Sequence, residues 1–166
     1  MSQTHPFKLI FDKNSKILIL GSFPSVISRK FGFYYTNPQN RFWRVLAAIL
    51  NAAVPESTDE KIKFLLSHHI AIYDAAISCE IEGSSDAKMG KIVPANLEPI
   101  FKEAKIRQVY ANGGKAYEIC KKYLEGEIIK ATKSEVIKLP STSPTNAKFS
   151  LERLTNEWSM IVRTLA

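Results

Sequence analysis

Cysteine is scarce in this chain, because only Cys79 and Cys120 occur among its 166 residues. Two cysteines are too few for a disulfide framework, and their separation matches no C-x-x-C redox motif. They are also too few for an iron–sulfur cluster, which takes four cysteine ligands. We therefore expect the protein to work in a reducing, intracellular compartment.

Several other features are missing, and each absence excludes a class of function. No apolar run approaches the roughly 20 residues of a membrane-spanning helix, and the first residues do not resemble a secretory signal. The three histidines, His5, His68 and His69, have no metal-ligand spacing. Phosphate-binding loops of the G-x-x-x-x-G-K-S/T or G-x-G-x-x-G type are also missing. The sequence predicts no membrane association, no metal and no cofactor.

Acidic residues are outnumbered by basic ones. The chain has 23 Lys and Arg against 16 Asp and Glu, which gives a net charge of +7 and a pI near 9.4. A basic surface favours nucleic acids and other polyanions, because binding releases their counterions. The charge alone indicates neither a base sequence nor a reaction.

Short apolar runs alternate with helical patterns along a chain whose length suits a single domain, residues 1–166. The predicted strands are Lys16–Leu20, Ile70–Asp74, Gln108–Ala111 and Glu135–Leu139. The predicted helices are Arg41–Asn51, Asp59–His68, Ala95–Glu103, Lys115–Leu124 and Ser150–Leu165, with loops over Gly21–Asn40 and Glu80–Lys91. This order predicts an α/β layer structure with a mostly parallel sheet.

Polar, glycine-rich and proline-rich segments follow three of the predicted strands. They are residues 21–25 (GSFPS), 112–114 (NGG) and 140–146 (PSTSPTN). Because sites in such sheets form at the carboxyl ends of the strands, we expect these loops to meet in one cleft.

Four segments of the chain resemble the signature loops of the uracil-DNA glycosylase superfamily, and they are most similar to its hypoxanthine-DNA (deoxyinosine) glycosylase branch. They are Gly21-Ser-Phe-Pro-Ser25, then Tyr34-Tyr35-x-x-Pro38-x-Asn40-Arg41-Phe42-Trp43, then Ser78-Cys79 with Glu82-Gly83-Ser84 and Asp86, and finally residues 139–146 (LPSTSPTN). The resemblance implies a three-layer αβα fold with a central four-stranded parallel sheet. It also implies an enzyme that extrudes a deaminated nucleotide from DNA and hydrolyses its N-glycosidic bond, a reaction that requires no cofactor. We expect the protein to be a monomer. Hypoxanthine is the expected base, with uracil as a second substrate.

Asn40 matches the asparagine on which catalysis depends in the deoxyinosine branch. Its amide can place the attacking water without titrating. Asn40 also directly precedes a predicted helix, where asparagine is a good N-cap, and the two roles are compatible.

The first loop is expected to lie against the extruded base through Gly21, Ser22 and Phe23. Relatives that act on uracil carry Asn or an acidic residue where this chain has Phe23, so that residue argues for the deoxyinosine branch, unless it only fills the core. Tyr35 falls where relatives stack an aromatic ring on the base. The alternative is that Tyr35 belongs to a packed aromatic loop.

Asn112 is the candidate reader of the base edge, because its amide can accept from N1–H and donate to O6 of hypoxanthine. The alternative is that Asn-Gly-Gly forms a turn. The last loop resembles the segment that relatives insert into the minor groove, with Leu139 at its start, where many uracil enzymes have a histidine. It is expected to contact DNA through Leu139, Pro140, Ser141, Thr142, Ser143 and Lys148, unless it is a plain strand-to-helix connection. For Asp86 we favour a structural turn.

Two other functions stay open from the sequence. One is a mismatch-type uracil or thymine glycosylase. The other is a non-catalytic α/β module that binds damaged or single-stranded DNA through its basic surface, which would not need Asn40 and Asn112 in one cleft.

Overall fold

The structure, a computed structural model, describes residues 2–4, 7–24, 26–80 and 91–166. Its centre is a sheet of four parallel strands in the order β3-β2-β6-β7. The strands are β2 (Ile17–Gly21), β3 (Ile70–Asp74), β6 (Gln108–Asn112) and β7 (Ile137–Leu139). The α/β class and the four predicted strands are therefore confirmed.

Strand β2 lies at the middle of the molecule, and all five of its residues are buried. Because side chains alternate across a strand, Ile17 and Ile19 pack into one core and Leu18 and Leu20 into another. A run that is apolar at every position suits a strand covered on both faces. The two cores separate the sheet from a helical layer on each side, which gives the three-layer αβα arrangement.

The helices divide between these two cores. The bounds are α1 (Val26–Phe31), α2 (Phe42–Ile49), α3 (Thr58–Ser67), α4 (Glu98–Glu103), α5 (Gly114–Ile119), α6 (Glu125–Thr132), α7 (Leu151–Trp158) and α8 (Ile161–Leu165). Helices α2, α3, α7 and α8 supply the core that holds Ile17 and Ile19. Helices α4, α5 and α6 supply the other core, and a π-helical segment, Cys120–Leu124, joins α5 to α6. Burial raises the pKa of the Cys120 thiol to about 12, which makes it an unreactive core residue.

A small antiparallel sheet lies beside the main one. It contains β1 (Ser2–Thr4), β4 (Ala76–Glu80) and β5 (Ile92–Pro94), in the order β1-β4-β5. The sequence patterns did not predict this sheet, and strands of three residues are too short to show an alternation. They also missed α1, which lies within the segment 21–40 that was expected to be a loop.

The last predicted helix is two helices instead of one. Helix α7 ends at Trp158 and α8 begins at Ile161. The Ser159 hydroxyl donates to the Asn156 carbonyl oxygen at 2.7 Å, and such bonds to the preceding turn bend helices. Among the described helices, none is long and apolar enough to cross a membrane.

Candidate active site

A cavity of about 110 Å³ opens at the edge of the sheet where the parallel strands end. Most of its wall comes from the segments after β2 and β7, while Gly21, Asp74 and Asn112 are the last residues of β2, β3 and β6. Its lining residues are Gly21, Ser22, Phe23, Pro24, Ser28, Tyr34, Tyr35, Asn40, Asp74, Asn112, Ser141, Thr142 and Ser143. The expected convergence of the strand-end loops is therefore present, and it includes both Asn40 and Asn112. Pockets for drug-sized ligands measure roughly 300–1,000 Å³, so this one suits a smaller group.

Gly21 and Asp74 form one wall of this cavity. They are paired across the parallel strands β2 and β3, and Asp74 is only 3% exposed. A Cβ atom on Gly21 would lie 2.3 Å from Asp74 Oδ1 and 2.8 Å from the Tyr35 hydroxyl oxygen. The absence of a side chain at Gly21 is therefore what lets a carboxylate and a phenol lie over the end of β2.

Asp74 is the main site residue that the sequence reasoning missed. Burial, with the charge of Asp74 as the second cause, raises the pKa of both Tyr34 and Tyr73. The Tyr34 hydroxyl donates to the Lys8 carbonyl oxygen at 2.7 Å, so this phenol is held protonated. The available signal was positional, because Asp74 is the polar last residue of an apolar strand at the edge where sites form.

Tyr35 lies in the cavity wall in an unusual backbone conformation. Its φ of +53° falls in the left-handed region, which a bulky residue rarely adopts. Its ring stacks on that of Phe42, with centroids 4.0 Å apart and planes inclined by 19°. Strained residues concentrate at ligand sites, and the stack fixes the tyrosine ring in one orientation.

Asn40 lies between the cavity and helix α2. Its side-chain oxygen Oδ1 accepts from the Phe42 backbone N–H at 3.0 Å, which satisfies one of the free donors at the helix start. Asn40 is half-buried and also lines the cavity. Helix α2 begins at Phe42 with Arg41 in the N-cap position, one residue later than predicted, so Asn40 makes this capping contact from the residue before. The contact and access to the cavity coexist.

Asn112 ends strand β6, and its amide is paired with Thr142. Asn112 Nδ2 donates to Thr142 Oγ1 at 3.0 Å, and the Thr142 backbone N–H donates to Asn112 Oδ1 at 3.1 Å. One N–H and one oxygen lone pair of the amide are left for a ligand. The predicted turn is carried by the next residue, Gly113, whose φ is +97°.

Arg41 anchors the loop after β7 to the start of helix α2. Its guanidinium donates to the carbonyl oxygens of Phe149, Ser143 and Asn146. Its backbone N–H donates to the Thr142 carbonyl oxygen at 3.1 Å. The segment 142–149 is therefore fixed to the start of α2, beside Asn40.

Comparison with known proteins identifies the family. The sequence model described as the uracil DNA glycosylase superfamily matches residues 9–163. The chain belongs to this superfamily. Two proteins named hypoxanthine DNA glycosylase are similar to it: that of Methanosarcina acetivorans is 31% identical over 159 residues, or 95% of this chain and 96% of the relative. That of Methanosarcina barkeri is 31% identical over 115 residues, or 68% and 72% of the two chains.

A solved structure gives the same result for the fold. The solution NMR structure of a candidate uracil DNA glycosylase from Methanosarcina acetivorans superposes with a TM-score of 0.81 at 31% identity. The match covers 99% of each chain. The predicted fold and the predicted identity as a DNA glycosylase of this superfamily are therefore confirmed.

The structure buries two of the residues predicted to contact DNA, and their contact with DNA stays a prediction. Leu139 is the last residue of β7 and is completely buried in the core, although it also borders the groove described below. Thr142 is also completely buried, and its hydroxyl accepts from Asn112.

The remaining predicted contacts divide between two surfaces. Ser143 lines the cavity, whereas Pro140 and Lys148 line an adjoining groove of about 570 Å³. Ser141 lines both, and Lys138 lies on the groove wall. The groove thus carries two lysines, Lys138 and Lys148, with one carboxylate, Glu157, and it meets the cavity at Ser141.

In the first loop, Phe23 contacts both the cavity and the core. It lines the cavity and packs against the core beneath, and the Arg29 guanidinium lies 5.7 Å from its ring centroid.

The predicted residues 82–84 and Asp86 lie outside the described residues. Among the side chains that the structure describes, no three of His, Cys, Asp or Glu converge as metal ligands would.

Proposed function

We propose that this chain excises hypoxanthine from deoxyinosine in DNA. One observation carries the proposal: Asn40, Asp74 and Asn112 come together in one small cavity at the sheet edge, from three distant parts of the chain. Two relatives named hypoxanthine DNA glycosylase support the choice of base.

The polar groups of the cavity match the edge of hypoxanthine. This base presents an imide N–H beside a carbonyl oxygen. In the proposal, the deeply buried Asp74 carboxylate accepts from the N–H, and the remaining Asn112 N–H donates to the oxygen. Adenine carries a lone pair at the first place and an amino group at the second, so it meets two repulsive contacts.

An aromatic stack fixes the plane of the base. Tyr35 lines the cavity with one face of its ring covered by Phe42. Its other face then takes the base, and stacking of this kind contributes about 1–3 kcal/mol. Because the ring is already fixed, little side-chain entropy is lost on binding.

Asn40 places the water in this proposal. It is less buried than Asp74, which suits a position near the sugar, since the base edge enters the pocket first. With one lone pair used by the Phe42 N–H, the amide keeps a lone pair and two N–H groups to orient a water. Water attacks the anomeric carbon of an oxocarbenium-like sugar, the N-glycosidic bonding electrons leave with the base, and a proton from the water neutralises it.

The test is release of bases from matched oligonucleotides. Duplexes carrying one inosine, uracil, xanthine or adenine are incubated with the protein, and abasic sites are cut with alkali. We expect cleavage at inosine and none at adenine. If the strand that carries inosine is left uncut, the proposal is wrong.

Asn40→Ser and Asn40→Ala separate catalysis from capping. Serine retains a helix-capping oxygen and its side chain is too short to hold the water, so we expect near wild-type thermal stability with strongly reduced excision. Alanine should also lose about 1 kcal/mol of unfolding free energy. Full excision activity in Asn40→Ala would refute the assignment.

Uracil is the second candidate substrate. It presents the same pair of an imide N–H and a carbonyl oxygen, so Asp74 and Asn112 can receive it in the same way. It is smaller than hypoxanthine and stacks less on Tyr35. We therefore expect slower excision at uracil than at inosine in the same duplex.

A further inference from the structure

The pair formed by Asn112 and Thr142 has a definite polarity. A backbone N–H can only donate, so the Thr142 N–H must face Asn112 Oδ1, which it does at 3.1 Å. The other half of the amide, Nδ2, donates to the Thr142 hydroxyl at 3.0 Å. Turning the amide over would set one N–H against another and leave a donor unsatisfied.

Thr142 is itself held in place, so it acts as a fixed reference. Its side chain is completely buried, and its carbonyl oxygen accepts from the Arg41 backbone N–H at 3.1 Å. The Arg41 guanidinium clamps the carbonyls of Ser143 and Asn146 just beyond it. The threonine therefore cannot follow a rotation of the Asn112 amide without disturbing the whole loop.

We infer that Thr142 is a positioning residue for base excision: it orients the Asn112 amide so that its remaining N–H donates to the carbonyl oxygen of the extruded base. The inference rests on the proposed function. It explains a threonine that is buried at the wall of the cavity while its hydroxyl serves Asn112 and not DNA. An Asn112 amide held in this orientation presents an N–H, which accommodates a carbonyl oxygen of the base and disfavours an amino group at the same position.

The Asn112 N–H that donates to the base should also increase the reaction rate. The departing base carries negative charge, part of it on its carbonyl oxygen, so an N–H held there bonds more strongly in the transition state than in the bound substrate. Losing the donor should lower the excision rate constant more than it weakens DNA binding. A residue that only maintains the fold would not produce this difference.

Thr142→Val and Thr142→Ser are the decisive variants, with Thr132→Val as the matched control. Valine keeps the shape and the backbone N–H and removes the hydroxyl, whereas serine keeps both polar groups. Thr132 loses a hydroxyl that contacts Ile128 and Ser134, in a helix that contributes no residue to the cavity. Under single-turnover conditions on inosine DNA, we expect Thr142→Val to be slower by about tenfold, with the serine and control variants within about twofold of wild type.

A double-mutant cycle links the effect to Asn112. Asn112→Ala should slow excision by about a hundredfold. Adding Thr142→Val to it should cost nothing more, because no amide is left to orient. The inference is overturned if Thr142→Val slows Asn112→Ala by the same tenfold, if serine is as slow as valine, or if Asn112→Ala is as fast as wild type. Failure of the proposed function is a different result, in which the wild-type protein itself releases no hypoxanthine.

A measurement without DNA tests the pair directly. In the NMR spectrum of ¹⁵N-labelled protein, the side-chain amide signals missing from Asn112→Ala belong to Asn112. We expect one of their protons to exchange slowly with water in wild type and Thr142→Ser, and quickly in Thr142→Val. Equally fast exchange in all three proteins would overturn the inference, whatever the activity assays show.

Discussion

At the scale of single residues, the site depends on what is absent from Gly21 as much as on what is present around it. Its missing side chain gives the Asp74 carboxylate and the Tyr35 hydroxyl their places over the end of β2. Tyr35 holds its own place at a positive φ, secured by the stack on Phe42. The Asp74 carboxylate and the Tyr35 hydroxyl thus occupy a space that one methyl group at Gly21 would fill.

Gly21→Ala tests this arrangement. Its new Cβ would lie 2.3 Å from Asp74 Oδ1, so the carboxylate must move away from the cavity wall. We expect a loss of about 1–3 kcal/mol in unfolding free energy and a large loss of excision on inosine DNA. Gly126→Ala, in α6, is the matched control, because no atom lies within 4 Å of its new Cβ. Equal activity in the two variants would show that the space over Gly21 is not used.

Single residues also show where prediction from the sequence stops. The loop motifs placed Asn40 and Asn112 in one cavity, which the structure has. They could not reveal that Asp74 joins them, because an apolar pattern shows that a strand is buried without showing where its last side chain faces. The same limit explains Leu139, which looked like a loop residue for DNA and lies in the core.

At the scale of elements, the site is held by contacts between loops that are distant in sequence. The loop after β7 is tied to the start of α2 by Arg41 and to the end of β6 by Asn112. The buried parallel strands were predictable because each is a continuous apolar run. Helix α1 and the antiparallel sheet were not, since their short, mixed segments show no clear period.

Arg41→Lys tests the hold on the last loop. The guanidinium bonds three carbonyl oxygens through its planar fork, and a lysine ammonium at the end of a flexible chain cannot reproduce that geometry. We expect the unfolding free energy to fall by about 2 kcal/mol and excision to slow in parallel. Arg107→Lys is the control, because Arg107 is exposed, its guanidinium donates to the carbonyl oxygens of Thr164 and Ala166, and it lines neither the cavity nor the groove. An unchanged excision rate in Arg41→Lys would mean that the loop does not need this clamp.

At the scale of the whole molecule, charge and topology act together. Parallel strands place their carboxyl ends on one edge, so one cavity collects residues from every part of the chain. The net charge of +7 favours binding to DNA, and in the proposed function the DNA lies on that surface, where Lys138 and Lys148 line the adjoining groove. Neither property selects a base, which is why composition alone left the function open.

The salt dependence of DNA binding measures this contribution. The logarithm of Kd for undamaged duplex should rise linearly with the logarithm of salt concentration, by about 0.9 for each phosphate contacted. We expect Lys148→Gln to lower that slope by about one, while Lys63→Gln, on α3 away from the cavity and the groove, leaves it unchanged. Equal slopes for both variants would place the phosphate contacts elsewhere on the surface.

The most direct measurement is a crystal structure of the protein with duplex DNA that contains one 2′-fluoro-deoxyinosine, a nucleotide whose glycosidic bond resists cleavage. The account predicts that the base is extruded and stacked on Tyr35, with its N1–H on Asp74, its O6 on the Asn112 N–H and the sugar beside Asn40. A base that stays in the helix, or that enters another pocket while these side chains face empty space, would contradict it.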